Sequence, residues 1–316
     1  MRDMSLTGSP CSDSLKALII EAGAYRVGIA RAEAVPDEIM ATYREWISRG
    51  WHGEMNYLEK YDDVRSDPRR LLDGAESIIV CAFPYYSPIK RQDGYARFAR
   101  YALGDDYHEV LRRRLTPVCE LLKERYGTES RICIDTAPLL ERYWAMKSGV
   151  GFTGLNRQLI IPGAGSYFFL ATIVTAAVFS TYDKPCVDDC GGCGRCVALC
   201  PAQALSPEGL DARRCESYLT IEYRGALPAN RAATDRVYGC DICADVCPHN
   251  AAPLVTTIPE FLPRPYLLTM TRDDIARMTQ DQFSTLFRHS AIKRTKLAGL
   301  QRNAATPPQN TDLRMK

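Results

Sequence analysis

Apolar side chains return every three or four residues at Leu15, Leu18, Ile19 and Ala22, and predict an amphipathic helix opening the stretch 12–34. Gly23 stops it ahead of a short strand at Tyr25–Ala30. Ser77–Phe83 (SIIVCAF) is a compact apolar run rich in β-branched residues and closed by Pro84, the mark of a strand. Helical spacing resumes over Asp105–Tyr126 at Val110, Leu115, Val118, Leu121 and Leu122, with Pro117 set to kink or split it. Arg131–Asp135 (RICID) alternates like a strand. Thr136 then caps a predicted helix that has Pro138 early in it and runs to Ser148.

The next stretch, Leu159–Ser180, carries no charge over 22 positions and is long enough to span a bilayer. Pro162, Gly163, Gly165 and Ser166 break its first third, and Tyr167–Phe179 alternates Ile, Val, Thr and Ala as a buried strand does. No membrane segment is predicted. Strands and helices are mixed, which makes the chain α+β, with an N-terminal mixed α/β domain ending near residue 182. From Pro185 the texture turns to Cys, Gly and Pro, and from Arg272 a polar helical tail follows. The predicted domains are 1–182, 183–270 and 271–316.

Composition changes this picture at one point. The 316 residues, 46% hydrophobic and 25% charged, suit a globular chain of two modest domains. Forty Lys and Arg against 38 Asp and Glu give a net charge of +2, which excludes a polybasic nucleic-acid coat and leaves room for a local basic patch. Met1–Pro10 carries Arg2 and Asp3 and no long apolar stretch, so no export signal is predicted and the expected location is cytoplasmic. The 13 cysteines are the departure. Eight of them fall between Cys190 and Cys247, the total is odd, and a core of this size needs no disulfide staples. A metal site is the first expectation.

The first thiol motif is Cys190-Gly-Gly-Cys193-Gly-Arg-Cys196-Val-Ala-Leu-Cys200-Pro201. Three thiolates at three-residue steps wrap one face of a 4Fe–4S cubane, and the fourth, before proline, serves a second cluster. Zinc is a poor fit to this cadence, and soft thiolates without a nearby His favour iron–sulfur. The second motif, Cys240-Asp-Ile-Cys243-Ala-Asp-Val-Cys247-Pro248, lacks its first ligand, because Val237 occupies that position. Cys215 alone lies between the motifs and is the substitute. Cys190, Cys193, Cys196 and Cys247 then hold one cluster, and Cys200, Cys215, Cys240 and Cys243 hold the other. The alternative, a Cys215 that is merely buried, leaves one cluster with three ligands. Cys11, Cys81, Cys119, Cys133 and Cys186 are surplus, with Cys81 and Cys133 expected in the core. Two clusters in one fold form a wire, and a wire implies something to reduce.

Two further patterns fail their context. Gly149-Val-Gly151-Phe-Thr-Gly154 has the form of a dinucleotide fingerprint, but a helix precedes it, an extended stretch follows it, and no acid occurs from Asn156 to Tyr182. Asp106-Tyr-His108-Glu-Val-Leu111 approaches a cobalt-binding Asp-x-His-x-x-Gly pattern. Leu111 stands where Gly is required, so His108 is expected on the surface in a helix's first turn.

The stretch Arg213-Arg-Cys215-Glu-Ser-Tyr-Leu-Thr-Ile-Glu-Tyr-Arg-Gly225, followed by Tyr238-Gly-Cys-Asp-Ile-Cys243, resembles the epoxyqueuosine reductases, cobalamin-dependent enzymes of tRNA queuosine synthesis. His52-Gly-Glu-Met-Asn-Tyr-Leu58, Arg100-Tyr-Ala with Asp106-Tyr-His108, Asp135-Thr-Ala-Pro-Leu139 and Gly165-Ser-Tyr167 extend the similarity. Phe283, Phe287, Ser290 and Arg302-Asn303 carry it to about residue 303. The chain departs from the family at Leu155, commonly Lys, at Tyr223, often His, and at His249, usually Trp. The longer family members add a C-terminal helical-repeat domain, which this chain is too short to contain.

The resemblance implies an N-terminal cobalamin-binding domain, a ferredoxin-like two-cluster domain and a short helical C-terminal tail. It implies an oxidoreductase that reduces epoxyqueuosine to queuosine at the wobble position of tRNA. An external single-electron donor would feed the clusters, and they a cobalamin without a histidine ligand. The ring oxygen leaves as water, so two electrons and two protons are consumed. Family similarity puts the proton donor at Asp135. A nearby helix N-terminus would lower its pKa, whereas a general acid at neutral pH needs it raised, and a helix-capping role is the alternative. The implied cobalamin contacts are Tyr57, Arg100, Asn156, Gly165, Ser166 and Ser217. For tRNA they are Arg224, Lys293, Arg294 and Lys296, the last three part of the run 288–316 with Arg288, Arg302, Arg314 and Lys316, opposed by Asp312 alone. Arg112, Arg113 and Arg114 are a second basic candidate, and the chain is expected to be a monomer. Rival functions are a cobalamin-dependent reductive dehalogenase and a non-catalytic iron–sulfur electron carrier.

Overall fold

The uncharged runs of the sequence become the middle of one antiparallel sheet. The structure, a computed structural model, describes residues 10–228, 231 and 234–305. Asp312, Arg314 and Lys316 of the basic run therefore lie outside the described residues. The chain begins α1 (Ser12–Glu21), β1 (Arg26–Arg31), α2 (Asp37–Ser48), α3 (Asp62–Ser66), β2 (Ser77–Pro84), β3 (Arg97–Phe98) and α4 (Tyr107–Tyr126). It continues β4 (Ser130–Cys133), α5 (Glu141–Lys147), β5 (Phe152–Thr153), β6 (Leu159–Ile160), β7 (Phe168–Thr175), α6 (Arg195–Ala198) and α7 (Glu216–Ile221). Then come β8 (Arg236–Tyr238), α8 (Ile242–Asp245), α9 (Pro265–Leu268), α10 (Arg272–Ala276), α11 (Gln280–Leu286) and α12 (Lys296–Ala305).

The main sheet has the order β1-β2-β7-β4, every pair antiparallel. Ile29, Ile79, Ile173 and Ile132 align in one row across all four strands and pack with Leu15, Ile19, Leu111 and Leu115 of α1 and α4. Ala30, Ile78 and Val174 align on the other face, against Met40 of α2 and Trp144 of α5. Helices cover both faces. That is why β2 reads as an unbroken apolar run instead of alternating.

Helix α4 runs through Pro117 without a break. The Asp106 carboxylate caps it by accepting the His108 N–H at 3.0 Å, and Gly127 ends it in the left-handed region. The predicted helix from Thr136 begins later, at Glu141. Residues 135–140 form a turn instead, entered through Asp135 at φ 55°, a conformation that Asp tolerates better than most residues. The false fingerprint has its own reason: a Cβ on Gly151 would meet the Ile160 carbonyl at 2.4 Å, so the glycine lets β5 approach β6.

Beyond residue 182 the chain is not separate from what precedes it. Strand β3 pairs in parallel with β8, and Phe98, Val237 and Tyr238 share a core with Phe283, Phe287 and Leu300. The C-terminal helices thus pack on the thiol-bearing region. Asn303 on α12, fully buried, donates from Nδ2 to the Thr220 and Val237 carbonyls at 2.8 Å each. Asn303→Leu strips the Val237 carbonyl of this partner and lowers stability by about 2–4 kcal/mol, read as a drop in thermal midpoint of the holoprotein. Among the described residues no helix is long and apolar enough to cross a membrane.

Candidate functional site

Each thiol motif wraps into a one-turn helix, α6 and α8, and these two helices pack against each other. The cysteine after each turn is thereby delivered toward the other motif. Cys190, Cys193, Cys196 and Cys247 line one small cavity with Leu155, Asn156, Ile160, Gly194, Pro248 and His249. Two of the family departures, Leu155 and His249, are therefore neighbours of the same thiols. Cys200, Cys215, Cys240 and Cys243 form a second group whose charges act on one another. Burial pushes Cys240 up to about 12, against the pull of the Arg236 guanidinium. Thiols so crowded and enclosed become thiolates only when a cationic centre compensates them, which is what an iron–sulfur cluster supplies. Val237, at the gap in the second motif, is fully buried in the core beneath α12.

Cys215 is the N-cap residue of α7, and burial pushes its thiol up against the pull of the Tyr218 and Ser217 backbone N–H groups. The next residue, Glu216, is buried against Arg231, with contacts of 2.5, 2.9 and 3.0 Å, and takes a further bond from Thr234 Oγ1 at 3.1 Å. A buried charge pair of this kind fixes geometry more than it stabilises. Gly239, at φ 70°, precedes Cys240, and a Cβ there would strike Ala99 at 2.5 Å. Glycine is what lets the second motif lie on the segment after β3.

A run of aromatic contacts leads from Tyr238, two residues before Cys240, to Asp135. Tyr101 lies 6.1 Å, centroid to centroid, from Tyr238 on one side and 6.3 Å from Tyr107 on the other. Tyr107 stacks on Phe169 at 4.4 Å and donates its hydroxyl to Asp135 Oδ2 at 2.9 Å. His108, set aside as a surface residue, is part of the site. Its Nδ1 lies 2.8 Å from Asp106 Oδ1, and its buried Nε2, which makes no hydrogen bond, lies 3.7 Å from Asp135 Oδ2. Burial disfavours charge on the ring, but the bond to Asp106 and the neighbouring Asp135 carboxylate outweigh it and push His108 up to about 9. Asp135 moves the opposite way: burial raises it, and His108 and Tyr107 hold it below the ordinary carboxylate value. Glu141 Oε1 accepts the Asp135 N–H at 3.0 Å, and burial followed by the Asp135 charge pushes Glu141 up to about 8. Asp135 keeps 65% of its side-chain area open although α4, α5 and neighbouring turns surround it. The missed signal is the N-cap: Asp106 places Tyr107 and His108 in the same first turn.

The remaining predicted residues divide. Tyr57, half exposed, stands beside Asp135, with the Arg294 guanidinium 5.6 Å from its ring centre. Arg294 also pairs with Glu222 at 2.9 Å, and Arg224 donates to the Thr295 and Arg294 carbonyls at 3.0 and 2.9 Å. Lys293 and Lys296 are exposed on the same turn. Arg113 and Arg114 both bind Glu260, at 2.7 and 2.8 Å. Arg100 donates its N–H to Asp241 at 2.8 Å and its guanidinium to Asp245, with the guanidinium 5.4 and 5.7 Å from the ring centres of Tyr86 and Tyr167. Gly165 and Ser166 lie against Asn250, three residues beyond Cys247, with the Ser166 N–H bonded to Asn250 Oδ1 at 2.7 Å. Asn156 lines the first thiol cavity, and Ser217 adjoins Cys215.

Comparison with known proteins places this geometry. Residues 65–136 match the family model described as "Epoxyqueuosine reductase QueG, DUF1730", and residues 189–250 match "4Fe-4S double cluster binding domain". An epoxyqueuosine reductase of Cellulophaga algicola is 38% identical over 296 residues, covering 92% of this chain and 96% of that protein. A crystal structure of epoxyqueuosine reductase with an epoxyqueuosine-modified tRNA-Tyr stem loop superposes with a TM-score of 0.86 at 30% identity, covering 92% of this chain and 79% of that one. A Bacillus subtilis epoxyqueuosine reductase, with its aspartate-bearing catalytic loop swung out of the active site, gives a TM-score of 0.84 at 29% identity over the same shares. With its two thiol motifs inside a matched double-cluster domain, the chain belongs to the epoxyqueuosine reductase family.

Proposed function

We propose that this chain reduces the epoxide of epoxyqueuosine in tRNA to yield queuosine, with Asp135 as proton donor. The observation that carries the reading is the run of aromatic contacts Tyr238–Tyr101–Tyr107 that links the start of the second thiol motif to Asp135. Cys190, Cys193, Cys196 and Cys247 ligate one 4Fe–4S cluster, and Cys200, Cys215, Cys240 and Cys243 the other. Cobalamin is the family's third redox group, and Tyr57 offers it an open ring face beside Asp135. When bound, these groups supply two electrons one at a time.

The chain's own work is proton delivery and positioning. A carboxylate held below its usual pKa is a poor reservoir at neutral pH, so the proton rests on His108 Nε2, where Asp106 stabilises the charged ring. It passes to Asp135 Oδ2 as the epoxide oxygen gains charge, and from Asp135 to that oxygen; a second proton delivered by the same route lets the oxygen leave as water, which balances the two electrons. Tyr107 keeps the carboxylate aimed, and the Glu141 bond to the Asp135 N–H holds the left-handed turn. Lys293 and Lys296 take backbone phosphates of the anticodon loop, on a turn that Arg224 braces from behind. The test is direct. Protein reconstituted with iron, sulfide and cobalamin, given a strong reductant and epoxyqueuosine-containing tRNA, should yield queuosine. Absence of product while a haloarene loses halide would reverse the reading.

A further inference from the structure

Asn156 is 3% exposed, yet among the described residues its Nδ2 has no hydrogen-bond partner. It occupies the turn between β5 and β6, where its Oδ1 accepts the Gln158 N–H at 3.1 Å. That bond settles the amide's orientation, since the flipped form would set NH₂ against N–H. The turn leaves the side chain little room to rotate: a Cβ on Gly154 would stand 2.9 Å from Oδ1 and 2.6 Å from Ile160 Cδ1. Asn156 lines the same cavity as Cys190, Cys193, Cys196 and Cys247. A buried donor without a partner is strongly unfavourable, and folds keep one where a bound group accepts from it.

The rest of that lining is sparing in donors. Leu155, Ile160, Gly194 and Pro248 have no polar side chain, and the His249 ring meets Phe152 edge-on at 5.5 Å. Backbone N–H groups bond Cys196 and Cys247. Asn156 is thus the amide side chain at this thiol set. A donor aimed at a cluster sulfur favours the reduced, more negative state and raises the reduction potential. We propose that Asn156 Nδ2 donates a hydrogen bond to a sulfur of the 4Fe–4S cluster held by Cys190, Cys193, Cys196 and Cys247, and so raises that cluster's potential. This rests on the ligand assignment proposed above.

Asn156 is a positioning residue in this role, and its readout is a potential. The experiment is an EPR-monitored redox titration of the reconstituted holoprotein, in which Cys193→Ser identifies the signal of this cluster. In Asn156→Leu that signal moves to lower potential while the other cluster's stays in place. Asn156→Asp, which keeps the size and loses the NH₂, moves it the same way and serves if the leucine variant fails to fold. Asn156→His restores an N–H donor and recovers part of the shift. Wild-type potentials for both clusters in the Leu or Asp variant, at full iron content, would overturn the inference and leave the ligand assignment standing. A Cys193→Ser protein with both signals and its iron unchanged would overturn the two together.

Discussion

Asp135→Asn slows epoxide reduction by about 10²–10⁴-fold, the usual worth of a positioned acid, while both clusters keep their absorbance and their iron. The change keeps the shape of the side chain and removes its capacity to pass a proton. Single-turnover conversion of epoxyqueuosine-containing tRNA, quenched and analysed as nucleosides, measures it. An unchanged rate would assign Asp135 to the turn and not to the chemistry. The pH profile separates donor from reservoir. The groups facing this pair are Tyr107, Asp106, Glu141, Arg142, Tyr57 and Arg294. Below about 8 Glu141 is protonated, and below about 9 His108 carries its proton, so the wild-type rate stays level through neutral pH. It falls as the pH rises through about 9 and His108 deprotonates. His108→Asn removes the reservoir. Its rate declines from the carboxylate range upward, as Asp135 alone loses its proton. A profile identical to wild type would exclude His108 from proton delivery.

Cys215→Ala removes one cluster and leaves the other. Iron falls to about half, the remaining signal is that of the Cys190 set, and turnover drops to background because the electron path is cut. Iron analysis, EPR and turnover check it together. Cys81→Ala and Cys133→Ala are the matched controls. Both side chains are buried in the cores flanking the sheet, so they lose some stability and keep both clusters. Full iron in the Cys215 variant would require another ligand for the second cluster. The large loss follows from place: Cys215 is the N-cap residue of α7, beside the buried Glu216–Arg231 pair that fixes its position.

The thiol sets could be read because iron–sulfur spacing is a local property. Three cysteines one turn apart must face one centre, and a proline after the fourth turns the chain away. Even the gap at Val237 and its remedy in Cys215 follow from the linear order of ligands. The strands at Ser77–Phe83 and Tyr167–Phe179 could be read for a similar reason, since continuous apolar runs bounded by Gly and Pro have few other uses. The start of α5 could not. Thr136 and Pro138 satisfy every local rule for a helix start, but Asp135 takes the left-handed region and hands its N–H to Glu141, so the turn persists until that residue.

By itself, then, the sequence determined how eight cysteines sort into two sets, the alternation of strands and helices, and the family that the chain resembles. The tertiary structure alone decided what Asp135 meets. His108 lies 27 positions earlier, on a helix whose cap fixes its direction, and no periodicity links that helix to the end of β4. It also decided that Arg224 and Arg302 brace backbone carbonyls, although in the sequence they count only as charge. Metal spacing is written in neighbours along the chain. A proton's route is written in neighbours across it, and those exist only once packing has brought α4 against the sheet.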